Sequence, residues 1–346
     1  MESGPRQAAA GWAIAVAIAA APACGLALVT SLAGADDAAP ATGQVVVRTL
    51  DGDRLTLVDL ADGEMREVAM PQLAPGDPPF DLATRDGAEV FYGRHRNGPA
   101  VYALLGGSVR PRLTADAWYF VPASDGAAIW VMDLDPHGPD TVRALSRVRR
   151  VDAATGRVRF TSGRPPAGMV AGAAGGALII SGRAGLVSWD PRTPAGRARP
   201  LGARVLVASA ASRVALCRRT CAVIRVRDLR TGRERVVRPP AGARFAVEGA
   251  RFSDDGRRLA VALEHRAKGR GSVGLVDADT GDSVEHASGW VSRERSSFAW
   301  TRDGSTLVFA DDRGGISALD VATGAVERVS GRLPAPVTSL AIRPGA

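Results

Sequence analysis

Lysine is all but missing from this chain: of 44 basic side chains only Lys268 is not an arginine. Histidine occurs four times, cysteine three times, and aromatic residues make up 5 % of 346 residues. Each scarcity excludes something. Three cysteines build neither a disulfide-dense scaffold nor a four-cysteine zinc site. The histidines, at 95, 137, 265 and 286, form no i, i+4 pair and no HExxH motif, the spacing that lets two imidazoles share a metal. A G-x-S-x-G nucleophile turn and a glycine-rich phosphate loop are also absent, which argues against catalysis. No cofactor is expected. The net charge is +8, but the arginines are scattered rather than gathered into one stripe. Beside so much Ala, Gly, Val and Asp, the arginine excess reads as GC-rich coding, and no nucleic-acid partner is expected.

Charge is missing from one long stretch. Ala8 to Gly34 contains no charged residue over 27 residues, more than the roughly 20 apolar residues that cross a hydrocarbon core. Arg6 precedes it, and Asp36 and Asp37 follow, an asymmetry that favours an internal N-terminus and an external remainder. The expected organisation is a short segment (1–7), a transmembrane anchor or signal peptide (8–34), a tether (35–44) and one domain (45–346). Ala33 and Ala35 form an A-x-A cleavage site, so a secreted product is the alternative to a single-pass membrane protein. Lipidation at Cys24 is a third route, although Ala21–Ala23 before it lack the usual leucine. All three place the domain outside the cytoplasm.

What is abundant is glycine (40) and proline (22), the residues of turns. From Gln44 onward one unit recurs: a β-rich run, an Asp, a Thr-Gly or Asp-Gly turn, and a second β-rich run. Clear copies are LTLVDLADGEMREV, RVRRVDAATGRVRF, VIRVRDLRTGRERVV, VGLVDADTGDSVE and ISALDVATGAVERV, with two degenerate ones between them. The marker positions are Asp59, Leu105, Asp152, Asp190, Asp228, Asp277 and Asp320, spaced 38 to 49 residues apart. That is the pitch of one four-stranded propeller blade. A second hairpin precedes each marker, as in GARFSDDGRRLAVAL and FAWTRDGSTLVFA, with Asp-Gly between apolar runs. After Asp320 the chain supplies only one further strand, VTSLAIRPGA, while its start supplies VVVRTL and LTLVDL. The two ends therefore complete one blade between them and leave no open edge. The fold expected is all-β: a seven-bladed β-propeller of four-stranded antiparallel blades, preceded by one N-terminal transmembrane or signal helix.

The phrases FSDDGRRLAV from Phe252 and WTRDGSTLVF from Trp300 resemble the WD-repeat-like units of TolB-type bacterial propellers. The resemblance covers most of residues 45–346. It implies the propeller fold and says little of activity, because such propellers mostly serve as docking platforms.

Few residues carry candidate chemistry. Cys217 and Cys221 flank a short turn, and in an oxidising compartment they are expected to form a disulfide. The oxygen-rich run Asp133–Asp140 superficially matches a calcium loop, but it lacks the distal Glu and carries two prolines. In a propeller the short Asp-Gly and Thr-Gly turns share one face, and the longer connections share the other. Those connections carry Arg94, Arg96, Arg266, Trp290, Arg293 and Arg295, a cationic set with one tryptophan. Such a surface suits an acidic protein partner or an anionic component of the cell envelope. The expected role is a non-catalytic protein-interaction scaffold at the cell surface, held to the membrane by its N-terminal helix. The alternative is an extracytoplasmic small-molecule sensor or propeller enzyme, a hydrolase or dehydrogenase, with its ligand at the central channel mouth.

Overall fold

A computed structural model describes residues 43–343, apart from 50–53, 70–82, 86–87, 96–97, 106–107, 115–116, 125–126, 135–144, 153–154, 204, 219, 266–270, 289–297 and 312. The segment 8–34 lies outside this set. Among the described residues no helix is long and apolar enough to cross a membrane.

The chain folds as an all-β propeller of four-stranded antiparallel sheets. In chain order the strands are β1 (Gln44–Thr49), β2 (Arg54–Asp59) and β3 (Met65–Ala69); β4 (Ala83–Arg85), β5 (Ala88–His95), β6 (Gly98–Leu105) and β7 (Ser108–Thr114); and β8 (Ala117–Pro122), β9 (Ala128–Leu134), β10 (Leu145–Asp152) and β11 (Val158–Thr161). There follow β12 (Met169–Ala174), β13 (Ala177–Gly182), β14 (Gly185–Trp189) and β15 (Arg199–Pro200); then β16 (Val205–Ala210), β17 (Arg213–Cys217), β18 (Ile224–Asp228) and β19 (Glu234–Val237). The last are β20 (Ala243–Phe252), β21 (Arg258–His265), β22 (Gly271–Asp277) and β23 (Ser283–Ser288); β24 (Phe298–Trp300), β25 (Thr306–Ala310), β26 (Ile316–Asp320) and β27 (Val326–Arg328); and β28 (Val337–Arg343).

Hydrogen bonding groups these strands into seven sheets, and each is an up-and-down run of consecutive strands except where β28 joins β1, β2 and β3. Six sheets are described down to their side chains; the β4–β7 sheet is described by its backbone, Leu104 aside. First strands adjoin one another from β8 through β12, β16, β20 and β24 to β28 and β4, and β6 reaches β8, which closes the ring. The expected seam is present. β28 pairs with β1 from Gln44↔Arg343 to Thr49↔Val337, and the Thr338 hydroxyl donates to the Arg48 carbonyl at 3.2 Å. The two ends of the domain thus cover each other's edges, which an open sheet would leave as unpaired N–H and C=O groups.

The core lies between sheets, not within one. Along β21 the period-2 alternation sends Leu259, Val261 and Leu263 against Ala215 and Val226 of one neighbouring sheet, and Ala260 and Ala262 against Phe298 and Leu307 of the other. Large residues face one way and alanines the other, so bulky side chains from the next sheet fill the space the alanines leave. The same scheme packs Trp130 and Met132 on Leu178 and Ile180, and Val45 and Leu340 on Val308 and Ile316.

The recurring Asp is explained by the turn it closes. Asp59, Asp152, Asp228, Asp277 and Asp320 each end the third strand of their sheet. The carbonyl of each accepts a hydrogen bond from the glycine N–H four residues on, at 2.8 to 3.0 Å. Those glycines have φ between 73° and 85°, a region costly for any residue with a Cβ. At Gly324 a side chain would also meet His286 Nδ1 at 3.1 Å.

Candidate binding face

Antiparallel strands fix which connections share a side. Turns between the first and second strands, and between the third and fourth, lie on one face; second-to-third and intersheet connections lie on the other. The two faces differ in how their polar groups are engaged.

On the short-turn face the carboxylates serve their own turns. Asp152 Oδ1 accepts the Thr155 N–H at 2.8 Å and its hydroxyl at 2.7 Å, and Asp320 holds Thr323 in the same way. Asp228 and Asp277 each accept two backbone N–H groups. In the inner hairpins the Ser253 hydroxyl donates to Asp255 and the Thr301 hydroxyl to Asp303, both at 2.7 Å. These donors favour the ionised carboxylate. The Thr155 hydroxyl, followed by Arg159, holds Asp152 well below the usual carboxylate range. Asp277, Asp303 and Asp320 are lowered chiefly by Thr280, Thr301 and Thr323 respectively. For Asp228 and Asp255 burial pushes the pKa up, and the surrounding hydrogen bonds, from Thr231 and Arg257 first, outweigh it.

Arginines on the same face join neighbouring sheets. Arg213, at the start of β17, donates to the Gly256 carbonyl at 3.1 Å and pairs with Asp279. Arg258, at the equivalent start of β21, donates to the Gly304 carbonyl at 2.8 Å. Both reach the inner turn of the next sheet. Arg251 works across first strands: its Nη1 donates to the carbonyls of Phe298 in β24 and Leu340 in β28, each at 3.0 Å. Part of the scattered arginine therefore has a structural use that a coding-bias reading does not supply.

The long-connection face is where the sequence is expected to place the candidate binding residues. Arg94 lies near the end of β5, opposite Pro99 of β6, with its side chain outside the described set. Arg96, Arg266, Trp290, Arg293 and Arg295 lie outside the described residues. Among the described connections on this face, that between β25 and β26 is closed by Asp311, whose Oδ1 accepts the N–H groups of Arg313 and Gly315, and that between β17 and β18 by the Cys217–Cys221 disulfide, with Cα atoms 5.0 Å apart. Both cysteines are buried, whereas Arg218, Thr220, Ala222 and Arg225 around them are exposed. Beside the disulfide is a hollow of about 220 Å³, lined by Ala203, Leu216, Cys217, Ala222 and Val223, with Arg218, Thr220 and Arg225 at its edge. Nothing in the sequence signals the hollow, because its Gly202–Ala203 wall comes from the preceding intersheet connection.

Two polar clusters near this face are structural. His265 Nε2 lies 3.1 Å from the Ser272 hydroxyl and 2.8 Å from Glu285 Oε1. A hydrolytic triad needs the acid on one ring nitrogen and the hydroxyl on the other. Here one nitrogen meets both, so the group straps β21, β22 and β23 together. Asp133, buried in β9, receives Arg147 Nε at 2.5 Å and Arg149 Nη2 at 2.6 Å. Its oxygens are thereby engaged by arginines; residues 135–140 of the oxygen-rich run lie outside the described set. Among the described residues no group of three or more His, Cys, Asp or Glu could hold a metal. Of the first strands that face the ring centre, β12, β16, β24 and β28 carry no acid and no histidine, whereas β20 carries Glu248.

No family model and no curated protein matches the chain. Solved structures do match, at low identity. TolB from Acinetobacter baumannii is 16 % identical, with 87 % of this chain covering 67 % of that one at a TM-score of 0.48. A provisional 6-phosphogluconolactonase from Bacteroides fragilis is 14 % identical over 87 % of this chain and 97 % of its own, with a TM-score of 0.51. An acylaminoacyl peptidase from Pyrococcus horikoshii is 13 % identical over 80 % of this chain, which spans 47 % of the peptidase, with a TM-score of 0.52. The likeness is one of fold alone, a β-propeller of four-stranded sheets.

Proposed function

We propose that this protein is an exported, membrane-anchored interaction scaffold, a seven-bladed propeller that binds an acidic protein partner or anionic envelope component through its long-connection face. The supporting observation is the contrast between faces. On the short-turn side Asp152, Asp228, Asp277 and Asp320 are engaged in their own turns and Arg213 and Arg258 in intersheet bonds. On the other side Arg218 is exposed, and its side chain makes no hydrogen bond or ion pair among the described residues. The sequence assigns Arg94, Arg96, Arg266, Trp290, Arg293 and Arg295 to connections of that same side. Loops on a rigid ring are where binding residues concentrate. Similar folds do carry catalysis in other chains, and fold alone decides nothing.

The test is charge reversal of Arg266, Arg293 and Arg295 together, with binding to hepta-glutamate followed over a range of salt. The reversed protein should bind more weakly and lose most of its salt dependence. Unchanged binding would remove this face from the proposal. N-terminal sequencing of the protein recovered from membranes checks the anchor: a chain beginning at Asp36 would mean cleavage and a secreted product.

A further inference from the structure

The hollow beside the Cys217–Cys221 disulfide has a size and a rim that together specify an occupant. At about 220 Å³ it is smaller than the roughly 300–1,000 Å³ clefts that hold cofactors or drug-sized ligands. It is too small for a lipid chain and suits one side chain. Its floor is apolar: Leu216, Val223 and Ala203, with the buried Cys217. Its rim is cationic. Arg218 is exposed with no ion pair among the described residues, and Arg225 is exposed and shares Glu234 only at 3.5 Å. The walls are fixed from two sides. The disulfide closes the loop on one side, with the Cys221 N–H donating to the Arg218 carbonyl at 3.0 Å. On the other side Ala203 is held by the Leu186 N–H, which donates to its carbonyl at 2.9 Å. A pocket held in shape before binding loses little entropy when it fills.

We propose that this hollow is the anchor pocket of the long-connection face, taking one aliphatic side chain from an acidic stretch of a partner protein while Arg218 and Arg225 pair with the carboxylates beside it. The inference rests on the acidic-partner reading of that face and adds the residue type at its centre. An apolar anchor ringed by charge is the usual layout of an energetic centre in an interface, because the anchor excludes water and strengthens the ion pairs around it.

The experiment uses the full-length protein and two fluorescein-labelled peptides, EELEE and EEGEE, titrated by fluorescence anisotropy. EELEE should bind roughly tenfold more tightly, the effect of burying one leucine. Ala222→Trp, which fills the hollow from an exposed loop position, should remove that preference. Arg218→Glu should weaken both peptides. Equal, salt-dependent binding of the two peptides would overturn the anchor pocket while leaving the cationic face standing. Binding of neither would overturn both. A leucine preference that survives Ala222→Trp would place the anchor elsewhere and overturn the assignment.

Discussion

The two sides of the ring are built from similar residues used differently. On the short-turn side an Asp, a Thr and a Gly recur within a few positions of one another, and each Asp meets the N–H groups its turn leaves free. On the long-connection side the loops vary in length and in how they close: a disulfide between β17 and β18, and between β25 and β26 Asp311, whose Oδ1 accepts two backbone N–H groups. The first side is therefore specified by local sequence. The second is specified by which loops the ring brings together. Stability should depend mainly on one side and binding on the other, and that division can be broken or sharpened by experiment.

Acid should have the largest effect, and through the short-turn side. Six carboxylates, at Asp152, Asp228, Asp255, Asp277, Asp303 and Asp320, have lowered pKa values in the fold. A carboxylate whose folded pKa lies below its unfolded value adds stability that is fully present above the unfolded value, about 3.9. That stability is lost as pH falls through the folded value. The urea midpoint should therefore hold steady down to about pH 5 and drop steeply below about pH 4. Replacing Asp152, Asp277 and Asp320 with Asn should lower the midpoint at neutral pH and flatten its acid dependence. A triple variant with the wild-type acid slope would show that these turns do not govern acid stability.

Single positions follow at smaller scale. Gly324→Val places a β-branched residue at φ 74° and against His286, and should cost about 2 kcal/mol or more in urea unfolding. Asp277→Ala should cost about 1–2 kcal/mol, because two backbone N–H groups lose their acceptor. Replacing Cys217 and Cys221 by serine should cost at most about 2 kcal/mol, given so short a closed loop. The double serine variant should instead lower EELEE affinity, since the disulfide shapes one wall of the hollow.

Most of the ring could be read from the sequence, and the reasons are local. Asp-x-x-Thr-Gly names its own turn, since the residues that need each other sit within five positions. Alternation in LAVAL shows two buried faces, and the unequal tails of the domain imply their pairing. The arginine bridges could not be read in this way. Arg258 and Gly304, or Arg251 and Leu340, are distant in sequence and meet only because one sheet lies beside the next. The single clue was positional, an arginine opening the second strand in both SRVAL and RRLAV. His265, Ser272 and Glu285 likewise meet through strand register, and register is invisible until the pairing is known. The hollow combines a loop with an intersheet connection and has no motif.

The smallest effect on stability belongs to the sharpest test of the division. Arg258 and Arg218 are both arginines at strand ends, one on each side of the ring. Arg258→Ala removes a charged donor from the Gly304 carbonyl and loosens one sheet from the next, which should cost about 1 kcal/mol. Arg218→Ala removes an exposed side chain that makes no bond among the described residues, so unfolding should shift by no more than about 0.5 kcal/mol. Binding of acidic peptides should rank the two in reverse, with Arg218→Ala weakened and Arg258→Ala unchanged. Equal losses of binding from both would mean that affinity depends on the rigidity of the whole ring. A loss confined to Arg258→Ala would move the contact surface to the opposite side.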